Sequence, residues 1–331
     1  MFGFFKTAVM PTVAAAAVCG AMLVQSGAAM AQAYPSKPVR IVLPFPAGSS
    51  TDAFMRVLAD RLRERLGQAV LIDPRPGAGA VIATQHIMTQ APDGYTLMTT
   101  TSSQTITSAK ANPPFDVRKD MTHIIQTTGG PTVIAVNVEK LPNVKTMKDL
   151  VDHARANPGV LNFGSYGAGS LGHLGVELFN QVMNVKTVHI PYKGSPANVM
   201  ALVSGDSHLA IDVLVFLGPQ IQAGKVRAIA QTTQDRSPMI PELPGMRDAG
   251  YPDFTVQFWQ GIGGPAGLPR DIVGKLNSTL NAALKDQAMV DYTKKTQTLL
   301  FGGTAEAMTD LVNREVTTWG KLIRDAKIDI D

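Results

Sequence analysis

The sequence predicts an α/β fold whose sheets are mostly parallel and flanked by helices. Two observations predict it. Short apolar runs alternate with segments of helical periodicity, which is the βαβαβ order of a parallel sheet with right-handed crossovers. The carboxyl ends of these runs are rich in Gly, Ser and Thr and feed directly into helices, and both halves of the chain repeat this arrangement. The 331 residues are enough for two domains of ordinary size.

In chain order, Val39 and Ile41–Leu43 read as a buried strand, broken by Pro44, Pro46 and Gly48. A helix follows with Phe54, Val57, Leu58, Leu62 and Leu66 on one face and Gly67 as its stop. Ala69–Ile72 is the second strand, 73–79 a breaker-rich loop, Val81–Gln90 a helix, and Tyr95–Met98 the third strand. It runs into the hydroxyl cluster Thr99–Gln104. Pro131–Val138 reads as a strong strand, and Thr146 with Asp149 as a variant capping box. Val160–Phe163, Thr187–Ile190, His208–Val213 and Val226–Gln231 are further strands, with helices at Leu171–Met183 and at 196–204. Ser195 and Pro196 suit the N-cap and first position of the latter, and Gly205 its end. The stretch 236–252 is a surface excursion, Phe254–Ile262 is aromatic and extended, and the last helices span Arg270–Lys285 and Ala305–Ala326, the latter capped by Thr304.

The first 33 residues have the composition of a secretory signal peptide. Lys6 is the positive flank, 8–24 an Ala- and Val-rich run, and Ala31-Gln32-Ala33 a small-x-small cleavage site. The run is short, Ala-rich and interrupted by proline, which argues against a membrane anchor. Cys19, the only cysteine, would leave with it, so the mature chain would have neither a disulfide nor a Cys-based metal site. Loss of Lys6 takes the formal charge from +4 to +3, too even a balance for a nucleic-acid partner.

Three small, hydroxyl-rich loops stand at strand ends, at 46–52, 99–104 and 164–170. A helix N-terminus offers unpaired N–H groups and the positive end of a dipole, an anion site without a basic side chain. The plain alternative for each is a well-capped strand–helix turn. Gly167-Ala-Gly-Ser-Leu-Gly172 fits a dinucleotide fingerprint, but no carboxylate follows Thr187–Ile190, so a nicotinamide or flavin cofactor is not expected. Gly164-Ser165-Tyr-Gly167 lacks the glycine of a nucleophile elbow, and His173 near Ser165 has no evident third partner. The histidines show no paired metal-ligand spacing. A binding protein that grips a polar anion between facing loops is the reading that survives; a secreted esterase is the enzyme alternative.

Tyr34-Pro-Ser-Lys-Pro-Val-Arg-Ile-Val-Leu-Pro-Phe-Pro-Ala-Gly48 with Asp52 resembles the opening of the Bug-type receptors of tripartite tricarboxylate transporters. The likeness continues through Pro76–Gly79, Pro92–Tyr95, Gly164–Ser170 with His173, Pro191–Gly194, Asp235–Ser237, Glu242–Gly245, Ala249–Pro252, Trp259 and Gly264–Pro269. The resemblance implies a two-lobed type II periplasmic-binding-protein fold with a ligand cleft between lobes. One lobe would comprise 34–132 plus 256–331, the other 133–255, with two crossing strands as a hinge. It implies a periplasmic, monomeric receptor that captures a small carboxylate, a di- or tricarboxylate or an aromatic acid, and delivers it to membrane permease subunits; a sensor for a membrane kinase is the alternative. The ligand residues it implies are Ala47, Gly48, Ser49, Ser50, Thr51 and Asp52 in the first lobe, with Ser102 and Ser103 from the second cluster. In the other lobe they are Ser165, Tyr166, Gly167, Ala168, Gly169, Ser170 and His173, with Lys193 and Asp212. Asp52 is expected to fix its own loop rather than meet a carboxylate. Ala47-Gly48-Ser49-Ser50 stands where the family has paired glycines, and Phe258 and Trp259 are either an aromatic wall or core.

Overall fold

β1 (Val39–Leu43) lies between β2 (Val70–Pro74) and β3 (Thr96–Thr101), parallel to both. All but one of its five side chains are buried, as expected of a strand covered on both faces. β3 pairs antiparallel with β9 (Gln257–Pro265), and β9 antiparallel with β4 (Met121–Asn137). β4 therefore runs in the same direction as β1 to β3. β10 (Leu299–Gly302) pairs antiparallel with the first half of β4.

The 17-residue β4 is the axis of the molecule. From Thr132 to Asn137 it leaves the first sheet and pairs antiparallel with β7 (Leu209–Val213) and β8 (Val226–Gln231). β7 is parallel to β5 (Asn162–Ser165), and β5 to β6 (Val188–Pro191). The strands β1 to β3 thus run toward the second sheet, and β5 to β8 run back toward the first. Their carboxyl ends converge on the place where β4 passes from one sheet to the other, the ligand position of open α/β sheets taken twice.

The chain crosses between sheets a second time at 232–257. Thr232 N–H donates to Thr132 O at 2.9 Å, and Val256 N–H to Thr232 O at 2.9 Å. The hydroxyls of Thr132 and Thr232 lie 2.5 Å apart and both reach the carbonyl of Val256. Three chain segments are pinned together at this point. One apolar core runs beneath, from Val42 and Met98 through Trp259 and Trp319 to Phe163 and Phe179.

Helices cover the faces: α1 (Ser50–Leu66), α2 (Val81–Met88), α3 (Ser102–Ser108), α4 (Val117–Asp120), α5 (Met147–Ala156) and α6 (Leu171–Met183). α7 (Ser195–Ser204), α8 (Leu214–Gln222), α9 (Arg270–Leu284), α10 (Gln287–Thr296) and α11 (Ala305–Asp325) follow. None of the described helices is long and apolar enough to cross a membrane. The computed structural model describes residues 1–3, 34–296 and 298–328. Lys37–Asp331 forms one compact unit. The signal-peptide reading rests on residues outside the described ones, save the first three.

Most expected elements are present, and most of their caps are where the sequence put them. Gly67 closes α1 in the left-handed region (φ +66°), and Thr146 and Asp149 form a reciprocal capping box on α5. Four expectations change. The first half of β4, Met121–Gly130, was not expected; its threonines conceal it, yet pairing on both edges satisfies them, as in Thr128 Oγ1 donating to Leu299 O at 2.8 Å. Thr99–Thr101 belong to β3 rather than to a loop. Ser195 is not a cap: Gly194 takes that place, and the Ser195 hydroxyl donates to Asp212 at 2.8 Å instead. Helices α3, α4, α8 and α10 and strand β10 were not foreseen, α8 because Pro219 interrupts it and apolar residues surround its axis.

Candidate functional site

The first loop turns at Gly48, whose φ of +81° lies in the region that favours glycine. Ser49 caps α1, its Oγ accepting the N–H of Asp52 at 3.2 Å. Asp52 is buried and folds back on its own loop. Its Oδ2 accepts from Gly48 N–H and from Arg56 Nε, each at 2.9 Å. The Arg56 guanidinium, with the Gly48 N–H, holds this carboxyl below the usual carboxylate range. The N–H groups of Ser50 and Thr51 have no acceptor among the described residues. The amino end of a 17-residue helix is therefore left open at this strand end.

Two other elements brace this turn. Gln260 of β9 donates through Nε2 to Thr51 Oγ1 at 2.7 Å, and Tyr292 of α10 donates its phenol to Ser50 O at 3.3 Å. Beside them, Thr101 and Gln104 make the capping box of α3. Ser102 is buried with its hydroxyl unpartnered and Ser103 is half-buried. α3 in turn packs on α6.

The opposite loop, after β5, is built around stacked rings. Ser165 has no exposed surface; its Oγ accepts the Gly167 N–H at 3.2 Å and lies 2.7 Å from His189 Nε2. His189, not His173, is thus the imidazole bonded to Ser165. His173 stacks on His189 with centroids 3.8 Å apart, and Phe163 covers the other side at 5.0 Å. His173 Nδ1 accepts the Gly169 N–H at 3.1 Å, which puts its proton on Nε2. Burial pushes both imidazoles down to about 4, His189 with the added effect of His173 beside it. Ser170 caps α6 through the His173 N–H at 3.2 Å, while the N–H groups of Ala168 and Leu171 have no acceptor among the described residues. Gly167 has φ +137°. Gly172 is required by Tyr166: an added Cβ would lie 2.8 Å from its ring.

The Ser165–His189 pair does not make a hydrolase. The serine is inaccessible, and no carboxylate hydrogen-bonds the other nitrogen of His189 among the described residues. Asp212 is equally committed to structure. It is fully buried and accepts from Ser195 Oγ, Asn198 Nδ2 and Val213 N–H at 2.8, 3.0 and 2.8 Å. Burial raises its carboxyl. Lys193 is exposed and makes no ion pair among the described residues.

A cavity of about 90 Å³ lies where the two sheets meet. Ser50 and Phe54 of α1, Phe258 and Gln260 of β9, and Tyr292 of α10 line it from the first sheet's side, and Val213–Val215 from the second's. Of the residues expected from sequence it includes Ser50. Phe258 lines it while Trp259 is core, because consecutive strand residues point to opposite faces. Gln260, Tyr292, Leu214 and Val215 were missed. Three lie on the two helices α8 and α10, which the sequence did not reveal, and nothing local marks Gln260.

The sequence profile described as tripartite tricarboxylate transporter family receptor matches residues 54–328. The protein BugT of Bordetella pertussis is 32% identical over 317 residues, covering 93% of this chain and 96% of that one. Among solved structures, R. palustris Rpa4515 with adipate is 33% identical, covers 89% of this chain and 99% of its own, and superposes with a TM-score of 0.76. MatC from Rhodopseudomonas palustris with bound malate is 26% identical, over 88% of this chain and all of its own, with a TM-score of 0.73. With its converging strand ends and open helix termini, this chain belongs to the tripartite tricarboxylate transporter receptor family, which consists of solute-binding receptors and not enzymes.

Proposed function

We propose that this protein captures a small carboxylate in the periplasm, between a lobe that ends near 132 and resumes near 256 and a lobe made of 133–255, and delivers it to the membrane permease of a tripartite transporter. One observation carries the reading. The carboxyl edges of the two sheets converge on helix termini whose N–H groups lack acceptors, at Ser50 and Thr51 on one side and at Ala168 and Leu171 on the other. Neither loop carries Arg or Lys, so the N–H groups and helix dipoles supply the positive potential. The adipate and malate held by the two R. palustris relatives support the ligand class.

A thermal-shift screen against carboxylates tests it. A ligand at a hundred times its Kd adds about 2.7 kcal/mol to native stability, a rise of several degrees for a protein of this size. Gly48→Val and Gly167→Val, which force side chains into left-handed backbone, should abolish the shift. A flat response from folded, ligand-free protein would sink the carboxylate reading.

A further inference from the structure

We propose that Glu315 of α11, on the face of β9 opposite the cavity, is a proton-binding residue that couples carboxylate capture to proton uptake through Thr105 and Trp259. The coupling rests on the carboxylate reading above; the proton-binding role does not.

The hydroxyl of Thr105, on α3, lies 2.8 Å from the Ser102 carbonyl oxygen and 2.8 Å from Glu315 Oε2. A hydroxyl has one proton to donate, and a carbonyl oxygen only accepts. Both contacts are hydrogen bonds only when Glu315 is protonated: its O–H then donates to Thr105, and Thr105 donates to Ser102. The indole N–H groups of Trp259 and Trp319 flank the same carboxyl. Both residues are 3% exposed, and neither N–H has a partner of hydrogen-bond geometry. A neutral carboxyl leaves these two donors idle. An ionised one would draw on both and take the Thr105 proton away from Ser102. Two hydrogen-bond arrangements are thus available, and one proton chooses between them.

Burial pushes the carboxyl up to about 7, against the pull of the indole and hydroxyl donors, so both arrangements are within reach near neutral pH. Arg314, exposed beside it on α11, is the one charged group acting on it among the described residues. Thr105, Trp259 and Trp319 carry no charge. Nor do Gln234, Thr255 and Gln257 of the return segment and β9, which line the crevice of about 310 Å³ onto which Glu315 opens. That crevice is the proton's path to water.

Both partners lead to the ligand side. Ser102 begins α3 beside the α1 turn, and Thr105 holds its carbonyl. Trp259 is followed in β9 by Gln260, which points to the other face and donates to Thr51 at 2.7 Å, next to the free Ser50 and Thr51 N–H groups. A carboxylate held there repels an ionised Glu315 and favours a protonated one. By reciprocity, ionisation of Glu315 weakens capture. Affinity is therefore greatest below about 7 and falls as pH rises through the range in which the free protein has ionised and the loaded one has not.

Trp259 and Trp319 are the chain's only tryptophans, so tryptophan fluorescence reads this carboxyl directly. Titration of the purified protein between pH 5.5 and 8.5 should show a step near 7, absent in Glu315→Gln, which keeps the shape of the protonated carboxyl. The stacked His173 and His189, near 4, titrate outside that range. No step in the wild type, or the same step in the variant, overturns the proton-binding role. Calorimetry with adipate, malate, citrate, glutamate and benzoate then tests the coupling. An acid that binds should do so on the order of fivefold more weakly at pH 8.5 than at pH 6. At pH 7 its apparent enthalpy should differ between phosphate and Tris in the sense of proton uptake. Glu315→Gln should keep the pH 6 affinity at both pH values. A fluorescence step with flat affinity and no buffer dependence overturns the coupling and leaves carboxylate capture intact. Binding of none of the acids overturns carboxylate capture and the coupling together, while the fluorescence step still decides the proton-binding role by itself.

Discussion

His173 and His189 lie face to face inside the second-lobe loop, and their protonation couples that loop to pH. Both are held neutral, with folded values near 4 against an ordinary 6.5. Between those values the unfolded chain binds more protons than the folded one, so stability rises as pH increases from about 4 to 6.5. Denaturant titrations across that range should show this slope, and His189→Gln should reduce it by about half, leaving the His173 share; a wild-type slope of zero would contradict the buried, neutral stack. Asp52 acts at lower pH. Its depressed carboxyl stabilises the first loop above its unfolded value of 3.8, and that contribution disappears as pH falls through the lower folded value.

Helix termini do two kinds of work here. Some are closed for stability, as at Gly67 and at the Thr146–Asp149 box. Thr146→Ala and Gly67→Ala should each cost about 1 kcal/mol in chemical denaturation without altering ligand affinity. Others are left open where the sheets converge. Ser49→Ala should cost a similar amount, about 1 kcal/mol, but should also weaken carboxylate binding, because Ser49 fixes the turn that aims the Ser50 and Thr51 N–H groups. Equal ligand affinity in the Ser49 and Thr146 variants would place the first loop outside the site. Asp212 belongs with the closed set. Its bonds to Ser195 and Asn198 tie α7 to the end of β7.

At the scale of the molecule, β4 and the return segment near Val256 are the chain's two passages between sheets, joined by Thr132 and Thr232. Few backbone torsions need to change there for the lobes to rotate, which is how a hinge works. Saturation with a bound carboxylate should lower the radius of gyration in small-angle scattering. An unchanged radius at saturation would mean a rigid, preformed cleft.

Much of this was legible in the sequence because it depends on local physics. Periodicity located β1, α1, α6 and α11, and glycine and hydroxyl chemistry at strand ends marked the loops at 46–52 and 164–170. Even Asp52 was readable as a loop-fixing residue, since its partners Gly48 and Arg56 are four residues away on either side. What depends on distant partners was not. Met121–Gly130 becomes a strand through β9 and β10, and Ser195 gives up its capping role to Asp212. His189 meets Ser165 across 24 residues, and Gln260 meets Thr51 across 209. The sequence by itself determined the fold class, the family and the two open helix ends. The tertiary structure alone decided which side chains face the cavity and which of their donors remain free, because those depend on partners that only the folded chain brings within reach.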